Sequence, residues 1–186
     1  HKFTMCPHCQ KEYDNPLDRR YYSQTNSCDV CGIKLSFINF KPPSKDGLIL
    51  TNEKIVNKVV NQLNQQKIIA IKGIGGYLLI CDAQGEQVIK NLRKRKHRPT
   101  KPFAVMYPNF EHLKNEFIIN QEEKEALTNE VSSIVLLQKK ENIEPSIQTN
   151  LIAPGLNRIG CIIPYAPLYQ LILDKFARPV IATSAN

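Results

Sequence analysis

Leu92-Arg93-Lys94-Arg95-Lys96-His97-Arg98-Pro99-Thr100-Lys101-Pro102-Phe103-Ala104-Val105 sets six Lys or Arg side chains within nine positions, breaks at a proline and runs straight into an apolar segment. Before it, Gln84 to Lys96 reads as a helix with Val88, Ile89 and Leu92 on its buried side. After it, Phe103-Ala104-Val105-Met106-Tyr107 reads as a strand. Cations at a helix carboxyl end complement its dipole, which is the plain account of Arg93, Lys94 and Arg95. Two prolines three apart remove two backbone donors and stiffen the loop, so Lys96, Arg98 and Lys101 can be aimed together at one anion.

The segments on either side continue the alternation of helix and strand. Thr51 can cap a helix with Glu53 in its first turn and Ile55, Val59 and Leu63 repeating along one face. Lys67 to Lys72 is a β-branched strand that enters Gly73-Ile74-Gly75-Gly76 and returns as Tyr77 to Ala83. Glycines after a strand allow backbone amides close to a phosphate or substrate, and the neighbouring Lys72 favours a ligand role for Gly75 and Gly76 over a plain turn. Neither the dinucleotide spacing nor a Walker lysine is present. Short helices are expected near 110–117 and 122–127, strands at 132–137 and 159–163, and a helix at 168–176 entered through Pro164 and Pro167. A last strand, 179–182, delivers Thr183-Ser184-Ala185-Asn186. The pattern predicts an α/β fold, without ordering its strands.

Cysteine placement separates off the amino-terminal part. Cys6-Pro7-His8-Cys9 and Cys28-Asp29-Val30-Cys31 are two CxxC pairs eighteen residues apart, whereas Cys81 and Cys161 stand alone. In a chain with no secretion signal this spacing reads as four thiolate ligands of zinc, with no open coordination position and hence a structural role. His8 is an alternative donor to Cys9, although four cysteines make the simpler set. Tyr13, Tyr21 and Tyr22 are expected to pack against the metal knuckles, and Arg19 and Arg20 to pair with nearby acids. Cys81, inside an apolar run, reads as a core residue. Phe40 to Gly47 is proline-rich and polar, so residues 1–40 are expected to form the metal module, 41–50 a link, and 51–186 the α/β domain.

The 186 residues are 42% hydrophobic and 23% charged, enough for a buried core. A formal net charge of +8 points to an anionic partner: nucleotide, nucleic acid or acidic membrane. No apolar run reaches the ~18 residues of a membrane span, so the expectation is a soluble, cytoplasmic protein. Starting just before a cysteine pair and stopping on a polar turn, the chain reads as a piece of something longer.

Six segments together resemble the HypF carbamoyltransferases of nickel–iron hydrogenase maturation: Cys6 to Tyr13, Asn15 to Arg20, Ala70 to Gly76, Arg95 to Pro102, Ile152 to Asn157, and Thr183 to Asn186. The resemblance runs in order along essentially the whole chain, and implies a four-cysteine zinc finger followed by most of a YrdC-like domain, a twisted mixed sheet with helices, truncated at its carboxyl end. It implies a reaction as well. Carbamate, derived from carbamoyl phosphate, is joined to ATP with magnesium as carbamoyl-adenylate, and a further domain passes the carbamoyl group to the partner HypE for cyanide-ligand synthesis. On that likeness Lys96, Arg98 and Lys101 contact phosphate and carbamate, Thr183, Ser184 and Asn186 hold ATP phosphates or the magnesium shell, and Lys72, Gly75 and Gly76 line the carbamate end. Ser184-Ala185-Asn186 departs from the usual Ser-Gly-Asn of this family and matches the related threonylcarbamoyl-AMP synthases of tRNA modification, which form one alternative. A zinc-containing binder of double-stranded RNA, using a basic concave face, forms another.

Overall fold

A computed structural model of the chain describes residues 4–38, 51–73 and 75–185, in two units spanning residues 1–55 and 56–186. The expected link at 41–50 lies outside the described residues.

In the first unit Pro7 opens helix α1 (Pro7–Asp14), with Cys6 as its N-cap. The first CxxC pair is therefore carried on a helix start rather than on a free knuckle. The second pair sits on a turn closed by Gly32 N–H donating to Cys28 O at 2.6 Å. A Cβ at Gly32 would lie 2.7 Å from that same oxygen, so glycine is the residue that lets the turn close. Between the pairs, Arg20 pairs with Glu12, and Asn26 Nδ2 donates to Glu12 Oε2 at 3.2 Å and to Cys9 O at 3.0 Å. Tyr21 and Tyr22 remain exposed, contrary to the expectation of packing on the knuckles. Tyr22 instead touches Tyr13 and Tyr21, with ring centroids 5.1 and 4.5 Å away.

Helix α2 (Asn52–Asn64) begins where Thr51 Oγ1 accepts from Lys54 N–H, and Ile55, Val59 and Leu63 are buried as their spacing predicts. The second unit then runs β1 (Ile69–Gly73), β2 (Gly76–Asp82), α3 (Glu86–Arg95), β3 (Ala104–Met106), α4 (Phe110–Glu116), β4 (Phe117–Ile118), α5 (Gln121–Thr128), β5 (Val135–Lys139), α6 (Thr149–Ile152), β6 (Arg158–Ile162), α7 (Pro167–Phe176) and β7 (Val180–Ser184). The strands form one mixed seven-stranded sheet in the order β1-β2-β7-β3-β6-β5-β4. Among the described residues only β3 and β6 pair in parallel.

One row of side chains crosses five strands: Cys81, Ile181, Val105, Cys161 and Val135 are successive register partners. Because paired residues share a face, this row builds the core together with Val88, Ile89 and Leu92 of α3 and Phe117, Leu127 and Ile152. Cys81 is a core residue as expected, and burial pushes its thiol up to about 12. The turn from β2 into α3 is held by buried Asp82, which accepts from Gln84 N–H at 2.9 Å and Gln66 Nε2 at 3.0 Å and lies 3.4 Å from Arg178 Nη1. That turn fixes where α3 starts, and so where its carboxyl end delivers Lys96.

Three elements lie outside the sequence expectations: α1, α6 and the two-residue β4. The strand expected at 132–137 begins three residues later, because Ser132 adopts φ +49° and donates its N–H to Asn129 O at 3.1 Å, a turn conformation that an extended strand cannot include.

Candidate functional site

The four cysteines of the first unit meet. Sγ–Sγ distances are 3.6 Å for Cys6–Cys28, 3.9 Å for Cys28–Cys31 and 3.6 Å for Cys31–Cys9, and the four sulfurs lie within 4.8 Å of one another. A tetrahedron of sulfurs about 2.3 Å from a central zinc has edges of about 3.8 Å, so the cluster has the size of a zinc shell. A disulfide would bring two sulfurs to about 2.05 Å. Backbone hydrogen bonds hold the thiols of Cys28 and Cys31 below the ordinary range, Cys31 at about 6, whereas burial pushes Cys9 up. Two further facts suit a closed structural site: all four donors are sulfur, and Asn26 braces the backbone at Cys9. His8 is exposed, beside Glu12 rather than within the sulfur set.

In the second unit α3 ends in a Schellman motif: Arg98 N–H donates to Arg93 O at 3.0 Å and His97 N–H to Lys94 O at 3.2 Å. His97 occupies the left-handed position of that motif at φ +48°, where glycine is the usual residue. His97→Gly is accordingly expected to raise the unfolding free energy by roughly 0.5–1 kcal/mol, seen as a higher urea midpoint at unchanged slope. The kinked backbone turns the chain sharply between Lys96 and Arg98, the first two of the three expected anion ligands.

Both reach the far end of the chain. Lys96 Nζ donates to Ser184 O at 2.5 Å, and Arg98 Nη1 donates to Thr183 Oγ1 at 3.2 Å. Arg98 also donates through Nε to Lys101 O at 3.2 Å and through Nη2 to Pro102 O. Lys101 contributes this carbonyl to the cluster, and its side chain is exposed. Burial, and for Lys96 the neighbouring Arg98 charge as well, lowers the proton affinity of Lys96 and Arg98. Among the described residues no carboxylate pairs with Arg98. A guanidinium with no carboxylate partner at a strand end, beside a hydroxyl, is suited to binding an anion.

The glycine turn shares this end of the sheet. Gly73 pairs with Gly76, Lys72 with Tyr77, and Tyr77 O accepts from Ala185 N–H at 3.0 Å, directly after Ser184. Gly76 holds φ +133°, which side chains rarely adopt, so this hairpin needs glycine there. Gly75 and Lys72 are exposed, and Lys72 Nζ lies 5.2 Å from the Tyr77 ring centre. Register thus brings Lys72, Gly75, Gly76, Thr183 and Ser184 to one sheet end. Direct side-chain contact with Arg98 is made by Thr183. Asn186 lies outside the described residues.

In sequence Arg93 reads as a dipole-capping cation, and the structure corrects that. It is 9% exposed and donates to five carbonyl oxygens: Leu151 at 2.7 Å from Nε, Arg98, Pro99 and Lys101 at 2.8, 3.1 and 3.2 Å from Nη1, and Ile152 at 3.1 Å from Nη2. Its position four residues after Ile89 carried the signal, because side chains at i and i+4 share a helix face. Phe103 lies against both guanidinium groups, at 4.6 Å from Arg93 and 4.8 Å from Arg98.

Residues 61–186 match the Sua5–YciO–YrdC family, described as telomere recombination, and residues 5–38 match the HypF finger. A carbamoyltransferase HypF of Synechocystis is 40% identical over 98% of the chain, which covers 30% of that protein. The crystal structure of a full-length HypF in its phosphate- and nucleotide-bound form is 36% identical, with a TM-score of 0.80 over 99% of this chain and 23% of that one. The Sua5 of P. abyssi, 21% identical with a TM-score of 0.61 over 73% of this chain and 41% of that one, shares the fold of the sheet domain. The chain spans about a quarter of the length of the curated relatives it matches.

Proposed function

Because the chain belongs to the Sua5–YciO–YrdC family over residues 61–186 and carries the HypF finger ahead of it, we propose that it forms carbamoyl-adenylate from carbamate and ATP within a HypF-type carbamoyltransferase. The observation that carries this reading is the meeting of the Lys96–Arg98 turn with Thr183 and Ser184 at one end of the sheet.

In the reaction a carbamate oxygen attacks the α-phosphorus, the new oxygen–phosphorus bond forms, and the bond to the β-phosphate oxygen breaks to release pyrophosphate. The nucleophile already carries its charge, so the protein needs to orient two anions and neutralise their repulsion rather than supply a base. Lys96, Arg98 and Lys101 supply that positive charge, and Arg98 adds a planar fork that matches two phosphate oxygens. Thr183, Ser184 and Asn186 contribute hydrogen bonds to the triphosphate, and Lys72 with the Gly75–Gly76 turn lines the carbamate end. Magnesium carried by the nucleotide supplies neutralisation of the departing pyrophosphate. The finger favours this substrate over threonylcarbamate, since it is the HypF proteins whose name the finger bears. Passage of the carbamoyl group to HypE, and so to hydrogenase maturation, falls to segments beyond this chain.

Product identity tests the reading. With Mg-ATP and ammonium carbamate the chain is expected to release pyrophosphate in a carbamate-dependent manner. ADP and phosphate as products, or pyrophosphate release indifferent to carbamate, would overturn it.

A further inference from the structure

We propose that Arg93 is a positioning residue of the anion site: it touches no substrate, and holds the loop from Arg98 to Pro102 in the one shape that aims Arg98. The inference rests on the phosphate reading given above and adds to it a residue outside the contact set.

The geometry is that of a clamp between two remote segments. Three of the acceptors, the carbonyls of Arg98, Pro99 and Lys101, belong to the loop, and two, those of Leu151 and Ile152, belong to α6. A guanidinium has five N–H donors in a rigid plane and no acceptor, so one side chain can gather this many carbonyls, where an ammonium offers three donors from a single point. Ile152 O is shared with Phe103 N–H at 3.0 Å, which ties the same acceptor to the start of β3.

Arg93 reaches Arg98 through shared anchors. Lys101 O accepts from Arg93 Nη1 and from Arg98 Nε, each at 3.2 Å, and Phe103 carries both guanidinium groups on its ring. Moving the Lys101 carbonyl therefore moves the oxygen that orients Arg98, and with it the contact to Thr183 Oγ1. Among the described residues no carboxylate pairs with Arg93, so it also adds an unneutralised positive charge beneath the loop.

Arg93→Lys keeps the charge and removes the fork. In the unliganded variant, hydrogen exchange is expected to quicken about tenfold in peptides covering residues 97–103 and 149–153 while residues 104–107 stay protected. Calorimetry with Mg-ATP is expected to give about tenfold weaker binding, and less than about twofold further loss when the same change is made on an Arg98→Ala background, because a residue acting through Arg98 has nothing to position once Arg98 is gone. A merely stabilising role would quicken exchange across the whole sheet and leave the affinity of the folded protein unchanged, and that outcome overturns the assignment. Equal loss in both backgrounds also overturns it, as it would mean direct contact with the nucleotide. A parent chain that binds no Mg-ATP overturns the phosphate reading, whereas a parent that binds and a lysine variant that binds equally well overturn the role of Arg93 alone.

Discussion

Arg98→Ala is expected to weaken Mg-ATP binding about 30-fold or more, the equivalent of about 2 kcal/mol or greater, with the fold retained. The side chain sits half-buried at the meeting point of three segments, donating to Thr183 Oγ1, Lys101 O and Pro102 O. Alanine removes the bidentate fork and leaves a triphosphate facing Lys96 and Lys101, whose ammonium groups neutralise charge without fixing orientation. The loss should fall on binding more than on stability, because Lys101 and Pro102 are exposed and their carbonyls can take water, so that buried Thr183 alone loses a bond without replacement. Titration calorimetry beside a urea unfolding curve separates the two. Unchanged affinity would remove Arg98 from the ligand set.

Loss of the metal is expected to have the larger effect on structure. Metal analysis should return about one zinc per chain, and Cys28→Ser or excess chelator should unfold the first unit. Structural zinc contributes on the order of 10 kcal/mol to small cysteine modules. No other force in that unit is of comparable size. Among residues 4–38 Cys9, at 1% exposure, is the one buried hydrophobic side chain, while Leu17 and Ile33 stand at 95% and 74%. Without a core, the module depends on its staple. Protons compete with zinc for thiolates, so acidification should release the metal even though Cys28 and Cys31 are held below the ordinary thiol range. The amide signals of α1 provide the readout, and their persistence in chelator with no metal bound would refute the dependence.

Local chemistry made much of this legible in the chain. The spacing of Val88, Ile89 and Leu92 gave α3 its buried face, Thr51 marked the start of α2, and Pro167 that of α7. The two CxxC pairs announced a thiolate cluster whose size the structure supplies. Strand order was not readable, because alternation of elements leaves pairing open until side chains from remote segments are matched. Nor was the reach of Lys96 and Arg98 to Ser184 and Thr183 readable from spacing, across more than eighty residues. Family resemblance suggested a shared ligand, and register provides the contact. Arg93 was missed for another reason: a basic run looks uniform in sequence, and only the helix phase separates the one cation that faces inward from its solvated neighbours.

The place of β7 in the sheet has a consequence for how the protein is made. It is the last of the seven strands in chain order, yet it lies between β2 and β3 and pairs with both. Until it is synthesised, the β1–β2 hairpin and the β3–β6–β5–β4 group have no hydrogen bonds to each other, and each presents an open edge. Assembly must therefore wait for contacts that are distant in sequence, which is slow and leaves a nascent chain exposed to wrong pairing. The same insertion carries Thr183 and Ser184 to Arg98 and Lys96. A nascent chain from which β7 has not yet emerged thus has neither a continuous seven-stranded sheet nor the contacts of Lys96 and Arg98 with Ser184 and Thr183, so the cation cluster closes in the same event that joins the two strand groups.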